Sequence, residues 1–126
     1  MILGQAKSAV ARLTPEEQAD IRFVAVTLDP EHDDQAKMLN MAEGQGVKAP
    51  FYNLCVGEPE IINPLLNRMG IERHRDKETG VIEHTNLYLV IDRSGKIAYR
   101  FSLGTVQEDW LVEALHITCA EPEPSP

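Results

Sequence analysis

The apolar positions Leu3, Ala6, Val10 and Leu13 recur at spacings of three, four and three, one stripe of a helix, which predicts an α-helix over residues 2–13. Thr14-Pro15-Glu16-Glu17 comes next with the N-cap, N1-proline and N3-glutamate order of a capping box, so a brief second helix opens there. The run IRFVAVTL at 21–28 is β-branched and nearly continuous in hydrophobicity, the pattern of a strand covered on both faces in a parallel sheet. Residues 29–34, Asp-Pro-Glu-His-Asp-Asp, form a turn, because proline disfavours helix in its predecessor and the aspartates cap the next helix. That helix, from about 34 to 43, ends at Gly44 or Gly46, and FYNLCV at 51–56 is a short edge strand. Pro59 opens a further helix that either kinks at Pro64 or restarts with Asn63 as cap, and stops at Gly70.

Residues 72–80, ERHRDKETG, are polar and read as an exposed loop. From Asn86, NLYLVID and KIAYRFS flank a tight Ser94-Gly95 corner, and Ile97, Tyr99 and Phe101 alternate with polar or small residues, predicting a β-hairpin whose second strand has one buried face. Thr105 and Glu108 have capping-box spacing ahead of a helix with an apolar face of Trp110, Leu111, Ala114 and Leu115. The final EPEPSP is a frayed tail. Alternating helices and strands of this order predict an α/β domain, a mixed sheet flanked by helices.

Composition narrows the function classes. At 126 residues the chain holds one ordinary domain. Its 12 basic residues against 20 acidic ones leave a net charge of −8, which repels phosphate backbones and makes nucleic acid an unexpected partner. No apolar run spans a bilayer. Lys7 and Arg12 lie within or after the first apolar residues rather than ahead of them, so the start does not read as a secretory leader. The two cysteines, Cys55 and Cys119, form no Cys-x-x-Cys pair and no zinc-binding spacing with histidine.

IRFVAVTLDPEHD, EGQGVKAPFYNL and above all GVIEHTNLYLVIDRSGKIAYRFS together resemble the thioredoxin-like Sco/SenC family of copper chaperones, over nearly the whole chain to about residue 117. The resemblance implies a thioredoxin-like fold and a role in assembling the copper centre of cytochrome c oxidase. It further implies partners among oxidase subunits or other copper or thiol-redox proteins, and a periplasmic or membrane-anchored location. In that family copper is held by two cysteines of a Cys-x-x-x-Cys loop and a histidine at the hairpin mouth. The histidine matches His84, and Asp29 matches an aspartate near the site. Soft thiolates suit Cu(I), and imidazole serves either oxidation state.

The cysteine loop has no counterpart here. By the resemblance it would precede the helix at 2–13, so the metal site is expected to be incomplete, with copper held in a full-length form rather than by these residues alone. The family's first core strand would lie between those matching 21–28 and 86–91, which implies an N-terminally incomplete domain over 1–118 followed by a flexible tail at 119–126. The gap would be filled by repacking, by a longer chain, or by a strand-complementing second copy.

Other candidates carry plainer readings. His32 and Asp33 read as solvated capping residues near the candidate site. Cys55 reads as a small buried hydrophobe, and Met38 and Met41 as core packing rather than thioether ligands. His74 and His116 have no motif around them. The resemblance implies either copper delivery or thiol-disulfide chemistry in a full-length form, and two further functions compete with these: a thioredoxin-like interaction module without redox or metal chemistry, and a thioredoxin-like or peroxiredoxin-like reductase. The reductase needs a nucleophilic cysteine at a helix start, and none is placed there.

Overall fold

The computed structural model describes residues 2–125. In chain order its elements are α1 (Ile2–Ala11), α2 (Pro15–Asp20), β1 (Phe23–Val26), α3 (Gln35–Gln45), β2 (Tyr52–Cys55), α4 (Pro59–Arg68), β3 (Arg73–Arg75), β4 (Ile82–His84), β5 (Tyr88–Ile91), β6 (Ile97–Phe101) and α5 (Thr105–Ala120). The described strands form three two-stranded sheets, β1 with β2, β3 with β4 and β5 with β6. Two compact units divide the chain: one joins the segment ending at Ile21 to that beginning at Asn86, and the other is the continuous stretch Arg22–Thr85.

In the first unit, α1 packs on α5 and buries Leu3, Ala6 and Ala9, with Leu13 just beyond its end. The buried stripe passes through Ala9 rather than Val10, and small side chains on that face allow close approach of the helices. The predicted capping box at Thr14 forms: the Glu17 N–H donates to Thr14 Oγ1 at 3.2 Å, and the Thr14 N–H donates to Glu17 Oε1 at 2.9 Å. The other capping box does not. Thr105 is already helical, the N-cap is Gly104 at φ 145°, and no side chain caps α5. Leu111, Val112, Ala114 and Thr118 are its buried residues, whereas Trp110, expected on the buried face, is 54% exposed.

Strands β5 and β6 form the expected antiparallel hairpin, with Tyr88 opposite Phe101 and a register shift at Val90/Ile91. Tyr88 and Val90 are buried, and Tyr99 stacks on Phe101 at 6.0 Å. Ile97 is exposed at the strand's start, so the inward face begins at Tyr99. Burial and the nearby Glu108 carboxylate push the Tyr88 hydroxyl up to about 12, against an opposing hydrogen bond with the Ala6 backbone. Arg93 fastens the far end of α5: it donates to the Cys119 and Glu121 carbonyls at 3.2 and 3.3 Å and pairs with Asp20 and Glu123. The helix therefore continues to Ala120, two residues into the stretch expected to be tail.

In the second unit, β1 and β2 are parallel, with Phe23 opposite Tyr52 and Val26 opposite Cys55, and α3 lies in the connection between them. Burial on both faces is not realised for β1, since Val24 is 60% exposed; a two-stranded pair has too little surface to cover it. Asp34 caps α3 by accepting the Lys37 N–H at 2.8 Å, and the left-handed Gly46 ends it at φ 67°. Met38 is buried but Met41 is 46% exposed, because the inward stripe of this mostly polar helix is too narrow for both. Helix α4 runs on through Pro64 without restarting: the Asn63 side chain accepts from Arg73 and donates to Glu31 instead of capping. Ile62 and Leu66 are its buried residues.

Residues 72–80 are not a loop throughout. Arg73–Arg75 pairs antiparallel with Ile82–His84, with Arg73 opposite His84. The turn between them is built on Asp76, whose Oδ1 accepts the Glu78 and Thr79 N–H groups at 2.8 Å each, and on Gly80 at φ 72°.

Candidate functional site

The residues singled out from the sequence, Asp29 and His84, both fall in the Arg22–Thr85 unit. Asp29 lies in the turn after β1. Its N–H donates to Thr27 Oγ1 at 2.9 Å, and its carbonyl accepts the His32 and Asp33 N–H groups at 3.1 and 2.9 Å. Buried Thr27 in turn donates its hydroxyl to Asp33 Oδ2. The Asp-Pro turn is thus closed by its own polar side chains, and the Asp29 carboxylate is left to face other partners.

Those partners are His32 and Arg75. Asp29 Oδ1 lies 2.8 Å from His32 Nδ1 and 2.6 Å from an Arg75 terminal nitrogen. Arg75 also donates to the Gly80 carbonyl at 2.8 Å, which ties its guanidinium to its own hairpin. The His32 Nδ1 hydrogen that serves Asp29 cannot coexist with an acceptor role toward Arg75, so the 3.3 Å Arg75–His32 approach is a close contact beside two hydrogen bonds to one carboxylate. Burial alone would raise the Asp29 carboxyl; the hydrogen bonds from Arg75 and His32 outweigh it and hold the carboxyl below the ordinary value of 3.8.

His84 is the last residue of β4, so it belongs to the β3–β4 hairpin rather than to the approach to β5. Its ring is exposed, with Nδ1 3.1 Å from the Thr85 carbonyl. A carbonyl only accepts, so this contact places a hydrogen on Nδ1, and in the neutral ring the lone pair is then on Nε2, the tautomer a metal-binding imidazole presents. The hairpin that carries His84 also carries Arg75, two positions from Arg73, the cross-strand partner of His84. Sequence reasoning placed Arg75 in an exposed loop and missed its part in the site. The available signal was the turn chemistry of Asp76 and Gly80: as in the Asp92–Gly95 turn of the β5–β6 hairpin, an aspartate accepts backbone N–H groups and a left-handed glycine follows.

Of the remaining candidates, His74 is on β3 opposite Glu83. Cys55 is half-buried on β2, with Sγ 3.9 Å from the Asn53 carbonyl. In the other unit, His116 on α5 pairs with Glu17, and this hydrogen bond leads the causes holding the Glu17 carboxyl below its usual value. Cys119 approaches the Glu17 carbonyl; burial raises its thiol, with the Glu17 and Asp20 carboxylates adding to the rise. Cys119 is therefore not poised as a thiolate. Among the described residues no group of three or more His, Cys, Asp or Glu side chains is arranged to hold a metal ion. A lone imidazole with no thiolate beside it does not fit tight copper binding by these residues alone.

Comparison with known proteins settles the relationship. The sequence profile of SCO1/SenC matches residues 1–118. The chain belongs to the SCO1/SenC family. No curated protein matches it. Among solved structures, apo Sco1 of Thermus Thermophilus is 21% identical, with TM-score 0.73 over 92% of this chain and 68% of that one. Bradyrhizobium japonicum ScoI with copper bound is 22% identical, with TM-score 0.67 over 88% of this chain and 70% of that one. A SCO1/SenC family lipoprotein from Bacillus anthracis is 19% identical, with TM-score 0.73 over 93% of this chain and 71% of that one. The SCO1/SenC chain thus has the thioredoxin-like mixed α/β fold of these Sco proteins, in small sheets flanked by helices. No helix of its described residues is long and apolar enough to cross a membrane.

Proposed function

We propose that this SCO1/SenC domain serves copper delivery, contributing the His84 imidazole to a copper pocket whose thiolates are supplied from outside these 126 residues. The observation that carries the reading is the family match over residues 1–118, and the copper-bound Bradyrhizobium ScoI among its structural neighbours supports it. Copper is cargo on this reading. The Nε2 of His84 is the nitrogen that would reach it, and Asp29, paired with Arg75 of the hairpin that carries His84, is the charge we assign to its surroundings. The recipient is a copper protein of the cytochrome c oxidase type, met outside the cytoplasm, as expected for a family that includes a lipoprotein. The domain occupies 1–118, and on this reading its sheet is completed by a strand of a longer chain or of a second copy.

The test is Cu(I) titration against a chromophoric chelator, with the chain alone and with a synthetic Cys-x-x-x-Cys peptide. The chain alone should show no tight site. With the peptide, a ternary complex should form whose Cu(I) affinity falls about tenfold or more in His84→Ala. Equal affinity in the wild type and His84→Ala would remove His84 from the pocket and leave a thioredoxin-like interaction module as the better reading. Submicromolar binding by the chain alone that vanishes in His84→Ala would overturn the requirement for outside thiolates.

A further inference from the structure

Helix α5 buries Leu111, Val112, Ala114 and Thr118, and beside that buried face it exposes an apolar stripe of Val106 at 57%, Trp110 at 54% and Ile117 at 44%. At 100° per residue, Val106, Trp110 and Ile117 lie within about 40° of one another and extend over about 16 Å, three turns of helix. An outward stripe of this length carrying the chain's single tryptophan exceeds the scattered apolar residues normal on a surface. Tryptophan is also the side chain most enriched among energetically dominant interface residues.

The charges around the stripe define its partner. Helix α5 contains Glu108, Asp109 and Glu113 and no lysine or arginine. Arg12 pairs with both Glu108 and Asp109, but exposed Glu113, on the same face as the stripe, has no ion-pair partner among the described residues. Centred on the stripe, an antiparallel second copy would bring Glu113 within a turn of its own image, and a parallel copy would place the two side by side, between chains each of net charge −8. An anionic membrane surface meets the same repulsion. We propose that the Val106–Trp110–Ile117 face of α5 docks a cationic amphipathic helix of a partner protein, its apolar side on Trp110 and a lysine or arginine opposite Glu113. This surface is independent of copper and of His84.

Because Trp110 is the only tryptophan, its emission reports the surface directly. The probe is a synthetic Leu/Lys amphipathic helix, titrated into the chain beside a Leu/Glu helix of the same pattern. Saturable blue-shifted emission with the Leu/Lys helix alone supports the docking site, as does a loss of about tenfold or more in affinity in the Val106→Ser, Ile117→Ser double variant. If that variant fails to give a wild-type circular dichroism spectrum, Glu113→Lys replaces it and should weaken Leu/Lys binding. Undiminished binding by a folded double variant, or by Glu113→Lys, would reduce the effect to general charge attraction and overturn the proposal. So would a concentration-dependent shift without peptide, accompanied by dimer in sedimentation, or a shift on phosphatidylglycerol vesicles with none on the peptide.

Discussion

The Asp29 carboxyl is held below its ordinary value in part by Arg75, a residue 46 positions away, and that dependence can be measured. Removing the guanidinium in Arg75→Ala leaves burial, the leading upward influence, opposed by His32 alone, so the Asp29 carboxyl should rise toward its ordinary value or beyond. Carbon-13 NMR titration of the side-chain carboxyl reads this directly; an unchanged midpoint would show that Arg75 does not govern it. The Asp-Pro turn was legible because its chemistry is local: proline, capping aspartates and a threonine lie within a few positions. Arg75 was not legible, because what turns a surface arginine into a partner for Asp29 is the pairing of β3 with β4, and hydrophobic alternation does not announce so short and polar a pair.

At the scale of elements, capping chemistry separates a correct expectation from an incorrect one. Thr14 and Thr105 both precede a glutamate by three residues, yet only Thr14 has extended backbone, at φ −69° and ψ 158°, that turns its side chain toward the exposed N–H groups. Thr14→Ala should therefore cost about 1 kcal/mol in urea unfolding, whereas Thr105→Ala, removing no cap, should stay within about 0.5 kcal/mol. Equal losses would mean that the box at Thr14 contributes nothing specific. Helices α1, α3 and α5 and the β5–β6 hairpin were readable from periodicity and turn residues. The continuous course of α4 was not: Asn63 looks like a cap until Arg73 and Glu31 engage its side chain, and those partners come from elsewhere in the fold. Trp110 and Met41 were misplaced for a related reason, since helical spacing identifies a face but not whether anything covers it.

For the molecule as a whole, acid should act in two opposing ways. Glu17, Asp29, Asp76 and Asp92 all have folded-state carboxyls below their ordinary values. Each depressed group contributes stability that is present above the unfolded value and lost as pH falls through the folded one. Between neutrality and the isoelectric point near 4.9, protonation also relieves repulsion in a chain of net charge −8. The urea midpoint should therefore hold or rise from pH 7 to about 5 and then fall steadily below it; a midpoint that keeps rising to pH 3 would contradict the depressed carboxyls.

The division of the chain also sets a schedule. The stretch Arg22–Thr85 is uninterrupted, so the contacts within it can begin to form once it has left the ribosome. Leu3, Ala6 and Ala9 have no such independence, for the helix they pack against is among the last parts to be made. At ordinary elongation rates roughly 5–20 s separate the emergence of Leu13 from that of Leu111. During that interval α1 is a tethered apolar segment whose packing partner has yet to be made.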